Sequence, residues 1–122
     1  IKAICLSDNT PAVTAFANDL DYNNIFLGQL KIFLSEGDVV IGYSGSGNSM
    51  NVINAVKYAR DRGNFVVGLS GNYRNGKGGL LKENSDLSIV VDLESMERIE
   101  DSHLIINHLV KEYIKQKHLK AV

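Results

Sequence analysis

The chain lacks an excess of charge of either sign: 13 Lys and Arg against 14 Asp and Glu leave a formal net charge of −1 over 122 residues. No overall field draws in nucleic acid or an anionic membrane, so any anion must be held locally. There is one cysteine, Cys5. That excludes an internal disulfide. A lone thiol inside the apolar run Ile4 to Leu6 is expected to be buried, which suits a reducing compartment. No apolar run reaches the ~18 residues of a membrane span, and no signal peptide is expected. The cytoplasm is the expected location. Repeats, linkers and low-complexity tracts are missing too. The 44% hydrophobic content fits one small domain with one core over residues 1–122. The chain opens on Ile1-Lys2-Ala3-Ile4 without a methionine. An ordered domain seldom begins on a core strand, so the domain is expected to be N-terminally incomplete.

Hydrophobic patterning predicts alternating strands and helices. Ala3 to Leu6 reads as a strand. Ser7-Asp8-Asn9-Thr10-Pro11 reads as a helix start, with capping residues followed by proline, and the helix runs to about Asp19. A second helix is expected from Asp21 to Gly37. Val39–Tyr43 reads as a strand, a helix follows from about Ser49 to Arg62, and Gly63 caps its end. Phe65–Leu69 and Leu87–Val91 read as further strands, with a helical turn over Leu80–Asn84. A last helix runs from Ser95 to about His118. The strand cores VVIGY, FVVGL and LSIVV are continuous apolar runs, as expected of strands buried on both faces. The predicted fold is a three-layer αβα sandwich with a mostly parallel, flavodoxin-like sheet.

In such sheets ligands bind where strand ends meet helix starts. Ser44-Gly45-Ser46-Gly47-Asn48-Ser49 lies at such a place. A helix N-terminus offers unpaired N–H groups and partial positive charge, and Ser44, Ser46 and Ser49 add hydroxyl donors. The loop reads as a phosphate site built from neutral donors; a tight turn with Ser49 as N-cap is the plainer alternative. It is not a dinucleotide fingerprint, because Met50 stands at the third glycine position. Gly71-Asn72-Tyr73-Arg74-Asn75-Gly76-Lys77 does match G-x-x-x-x-G-K. However, Gly78 follows where a nucleotide-binding loop needs Ser or Thr, and no long helix comes next. A surface loop is the better reading.

The last helix carries Asp101, Leu104 and His108 within about 40° of Glu97, with Glu100 about 60° to one side. Ile99, Ile106, Val110, Tyr113 and Ile114 lie opposite. His103 falls at the edge of that apolar side and reads as a structural residue. His108 shares its stripe with carboxylates and is the candidate for acid–base or metal chemistry. Glu100-x-x-His103 matches half of a di-iron motif, which needs a second pair in a helical bundle and is set aside. Asp92, Glu94 and Glu97 read equally as an acidic metal patch or a solvated loop.

Together, "GYSGSGNSMNVINAVKYARDRG", "ERIEDSHLIINH" and "ANDLDYNNIF" resemble the sugar isomerase (SIS) domain family, in its phosphoheptose isomerase branch. That branch has a loop S-T-S-G-N-S followed by N-V-I, and an N-D-F-x-x-x-x-I-F stretch. The resemblance runs from about Ala17 to the end. It implies that Ser44, Gly45, Ser46 and Ser49 cradle the phosphate, and that Asp19 and Glu97 fall on active-site aspartates. It places His108 on the active-site histidine, a metal ligand in zinc-containing members, and Glu100 on a glutamine close to sugar and metal. Gly45 stands for a threonine and Glu100 for that glutamine. The family's first strand, its G-N-G-G-S-A loop and the next helix have no counterpart in this sequence. Those carry a glutamate base, a further phosphate-contacting serine and a metal-binding histidine.

The resemblance implies isomerisation of sedoheptulose 7-phosphate to a heptose 7-phosphate through an enediolate, for lipopolysaccharide or other surface glycans. It also implies a homotetramer with possible zinc at His108 and Glu100. A non-catalytic SIS module that binds a sugar phosphate, or a protein such as a replication initiator, is the alternative.

Overall fold

The structure, a computed structural model, describes residues 2–119; Ile1 and residues 120–122 of the expected domain lie outside the described residues. Asn9 opens the first helix, α1 (Thr10–Asp19), by accepting the Ala12 amide at 3.1 Å, with Pro11 in the first turn as expected. Asp21 caps a single 3-10 turn over Tyr22–Asn24, and α2 (Ile25–Phe33) follows. This helix stops short of Gly37, where φ is +84° in the turn that leads to β1. The remaining elements are β1 (Val39–Ser44), α3 (Met50–Asp61), β2 (Phe65–Gly71), α4 (Gly79–Glu83), β3 (Leu87–Val91) and α5 (Met96–Leu119). The strands pair in parallel in the order β1-β2-β3, with Val39 opposite Phe65 and Val67 opposite Leu87. Sheet and helices have the expected alternating α/β order.

One face of the sheet meets α3 and α4. Ile53, Val56, Ala59, Val66 and Leu81 form the core there. Glycines at Gly42 and Gly68, directly opposite each other, let the helices close in. A Cβ at Gly42 would stand 2.9 Å from Val56, and one at Gly68 3.0 Å from Leu81. The other face is covered only at its C-terminal end, where Ile99 of α5 lies against Gly71. Val39, Ile41, Phe65 and Leu87 on that face are exposed. Burial on both faces, expected from the apolar runs, therefore holds near the strand ends and not along their length.

Two expectations at the N-terminus are corrected. Ala3 to Leu6 forms no strand: β1 keeps a free edge, but the run is held away from it and makes no ladder bonds. A groove of about 650 Å³ separates the two, lined by Ile4 and Leu6 on one side and Val39 and Ile41 on the other. The segment is instead tied down by Gln29, whose Nε2 donates to the Leu6 carbonyl at 3.0 Å. Cys5, expected to be buried, is exposed, since a run outside the sheet has no layer to cover it.

Truncating Ile53, which is fully buried, removes contacts from the layer between sheet and α3. Ile53→Ala is expected to cost about 2–5 kcal/mol, read as a lower urea midpoint at unchanged slope.

Candidate functional site

The loop between β1 and α3 is shaped by its own hydrogen bonds. Gly47 turns it with φ +70° and donates its amide to the Ser44 carbonyl at 2.9 Å. Ser44 Oγ is 3.0 Å from Ser49 Oγ and 3.4 Å from the Ser49 amide. Ser44 is buried and Ser49 exposed. Ser49 stands at the N-cap position, yet its side chain caps no amide of α3. Its hydroxyl takes the Ser44 proton, which leaves its own proton free to point outward. The plain capping alternative therefore does not describe this serine. Ser46 Oγ accepts the Asn48 amide at 3.2 Å and also keeps its proton for a ligand. The free hydroxyl protons of Ser46 and Ser49 and the start of α3 thus share a loop that holds no basic side chain, a donor set that suits a phosphate.

The glycine-rich loop after β2 holds this arrangement from outside. Leu81 donates its amide to the Gly47 carbonyl at 2.9 Å, and Gly71 donates to the Gly45 carbonyl at 3.1 Å. Asn48 spans the gap: Nδ2 donates to the Ser46 carbonyl at 3.0 Å and Oδ1 accepts the Leu80 amide at 3.1 Å. A Cβ at Gly47 would lie 2.0 Å from the Gly78 carbonyl oxygen, so no other residue fits. The G-x-x-x-x-G-K segment is therefore a brace. It contains a 3-10 turn over Tyr73–Asn75 and is followed only by the five residues of α4. Asn48 went unassigned in the sequence; its position in a Ser/Gly turn is the kind of place where Asn bonds local backbone.

The remaining candidates lie apart from the loop. Glu97 is in the first turn of α5, where its carboxylate accepts the Ser95 hydroxyl at 2.8 Å. Bonds from its own backbone amide and from Ser95 hold its pKa below the usual carboxylate value. Glu100 and His108 are exposed on the same helix, as the stripe predicts. Asp19 ends α1, is exposed, and accepts the Asn18 amide group at 3.1 Å. Among the described residues no hydrogen bond or ion pair joins Asp19, Glu97, Glu100 and His108 to one another. His103 is buried and donates Nε2–H to the Ser70 carbonyl at 3.2 Å, the structural role its spacing predicts. Its ring meets Tyr43 edge to face at 5.9 Å. Next to it the Tyr43 hydroxyl donates to Asn107 Oδ1. This pairing left no local signal in the sequence.

Gly45 packs against α5. A Cβ there would stand 2.2 Å from Met96 Sδ, so the methionine takes the space that the family's threonine would need. For zinc, the chain offers Glu100 and His108. Among the described residues no three His, Cys, Asp or Glu side chains cluster. Two donors fall short of the three or four protein ligands zinc takes, so the residues present do not make a zinc site by themselves.

The comparisons place the chain in the SIS domain class. A family model described as SIS domain matches residues 1–71, and the chain belongs to that family. It is 40% identical over 114 residues to a phosphoheptose isomerase of Aliarcobacter butzleri, a match taking in 93% of this chain and 58% of that protein. It is also 40% identical over 117 residues to a phosphoheptose isomerase of Chlorobium limicola, across 95% of this chain and 53% of that protein. A solved phosphoheptose isomerase from Francisella tularensis superposes with a TM-score of 0.86 at 29% identity, covering 93% of this chain and 59% of that one. One from Neisseria gonorrhoeae gives 0.87 at 33% identity, covering 93% and 61%. The fold is theirs. The chain spans little more than half the length of these relatives.

Burial raises the Tyr43 pKa above its usual value, partly offset by the bond to Asn107. A raised native pKa means that the neutral phenol is favoured in the folded state. Its contribution to stability is then full below about pH 10 and is lost as pH rises through the native value. Tyr43→Phe is expected to remove this alkaline limb from urea midpoints measured between about pH 9 and 11.

Proposed function

We propose that this chain is the phosphate-holding and acid-bearing part of an isomerase interconverting sedoheptulose 7-phosphate and a heptose 7-phosphate, for lipopolysaccharide or another surface glycan. The observation that carries the reading is the hydroxyl cradle at the end of β1, in a SIS domain whose relatives named above are phosphoheptose isomerases. Ser44, Gly45, Ser46 and Ser49 hold the phosphate, together with the first amides of α3. Asp19 and Glu97 bind sugar hydroxyls. Fixing the phosphate places C1 and C2 for reaction.

Isomerisation moves a proton from C1 to C2 and a hydrogen from O1 to O2. A base takes the C1 proton and an enediolate forms. By resemblance that base is a glutamate in a segment this sequence does not contain. His108 gives a proton to O2 and takes one from O1. Glu100, two turns before His108 on the same helix, falls by resemblance close to the sugar. No step is assigned to a metal. Exposed Leu104, Ile105, Leu109, Val110 and Tyr113 on α5 support a homo-oligomer, in keeping with the family's tetramers. No described helix is long and apolar enough to cross a membrane, and the cytoplasm, where a sugar-phosphate substrate would be met, is the proposed location.

The test is steady-state turnover of sedoheptulose 7-phosphate by the complete gene product. His108→Ala is expected to lower kcat by about 10²- to 10⁴-fold. Ser49→Ala is expected to raise KM by about tenfold or more through a lost hydrogen bond to a charged group. Saturable sugar-phosphate binding without turnover would favour a binding module. An unchanged kcat in His108→Ala would remove the histidine from the chemistry.

A further inference from the structure

Helix α5 is fixed to the sheet through few groups. Ile99 packs on Gly71, whose added Cβ would stand 2.4 Å from the Ile99 side chain. One turn on, His103 donates to the Ser70 carbonyl at 3.2 Å. One more turn on, Asn107 accepts the Tyr43 hydroxyl. Beyond that point the helix leaves the sheet: Leu109, Val110 and Tyr113 are 65%, 49% and 60% exposed. Among the described residues Asn107 is therefore the last of α5 bonded to a sheet side chain, and His108 is the next residue. The partner, Tyr43, directly precedes Ser44, the first residue of the anion cradle. One hydrogen bond thus joins the neighbour of the candidate acid to the neighbour of the candidate phosphate ligand, 64 residues apart in sequence.

We propose that Tyr43 and Asn107 are positioning residues that hold His108 at a set distance from the phosphate cradle. The inference rests on the reading of His108 as the acid. Without this bond the nearest anchor is His103, more than a helical turn before His108. The far half of α5 would then pivot, and the imidazole would move relative to a substrate pinned by its phosphate. Misplacement of a catalytic group by about 1 Å costs up to about 10²-fold in rate. The phosphate loop itself is braced by Asn48 and Leu81, so ground-state binding is not expected to follow.

The test is a kinetic double-mutant cycle in the complete gene product with sedoheptulose 7-phosphate. Tyr43→Phe and Asn107→Ala are each expected to lower kcat about tenfold with KM unchanged. The double variant is expected to be no worse than either single one. Asn107→Asp keeps an oxygen acceptor and is expected to recover most of the loss. Tyr43→Phe keeps the ring on His103, so its melting temperature near pH 7 is expected to stay close to wild type, which separates misplacement from unfolding. If both single variants turn over like wild type while His108→Ala is impaired, the positioning role is wrong and the acid assignment survives. Additive losses in the double variant would also overturn it. A fully active His108→Ala would instead overturn the reading of the acid, and this proposal with it.

Discussion

The hydrogen bond from the Leu81 amide to the Gly47 carbonyl, at 2.9 Å, is the constraint on which the site depends. It forces the β1–α3 turn and the start of α4 into backbone contact. Gly47 can tolerate that only without a side chain, because a Cβ would sit 2.0 Å from the Gly78 oxygen. Once the contact is made, Gly47 is held in its left-handed conformation, and Ser44 and Ser49 meet across the turn. Preorganisation matters here because neutral donors are weaker than a cation. A loop that first had to order itself around the phosphate would lose much of the binding free energy. The brace is also why the lysine-containing glycine segment matches the nucleotide-loop pattern without being one: its glycines serve close packing and positive φ, as they would around a triphosphate, yet they are turned toward another loop.

A second consequence runs through Gly45. With no Cβ, it lets Met96 lie directly on the loop. The start of α5 and the β1–α3 loop are thereby packed together. Glu97, the next residue, is carried on the same contact. Its carboxylate sits in the first helical turn and is held ionised by Ser95 and by backbone amides.

Local elements were readable where local physics decides them. The strand–loop–helix from Val39 to Arg62 is marked by an apolar run, a Ser/Gly break and an amphipathic stripe, and each appears within a residue or two of its expected place. His103 and His108 were separable because a helix has one period, and the apolar side is visible from Ile99 onward. Ala3 to Leu6 failed for a different reason. An apolar run says that a segment can be a strand, while a ladder needs a neighbour, and the neighbour is set by tertiary structure. The exposure of Cys5 follows from the same failure. Asn48, Met96, Tyr43 and Asn107 were missed because their roles consist of contacts 32 to 64 residues away in sequence, which no window of periodicity contains.

The bare half of the sheet bears on how the site is completed. Val39, Ile41, Phe65 and Leu87 form a continuous apolar face beside the groove under β1. A chain this small rarely leaves such a patch in water. The open face is on the α5 side of the sheet, and α5 itself carries exposed Leu104, Ile105 and Leu109. Both uncovered surfaces therefore border the side on which His108 stands, and the cradle-bearing face is the one already closed. The β1–α3 loop is ordered by bonds within this chain, whereas the exposed face around the far half of α5 is not covered by any described residue.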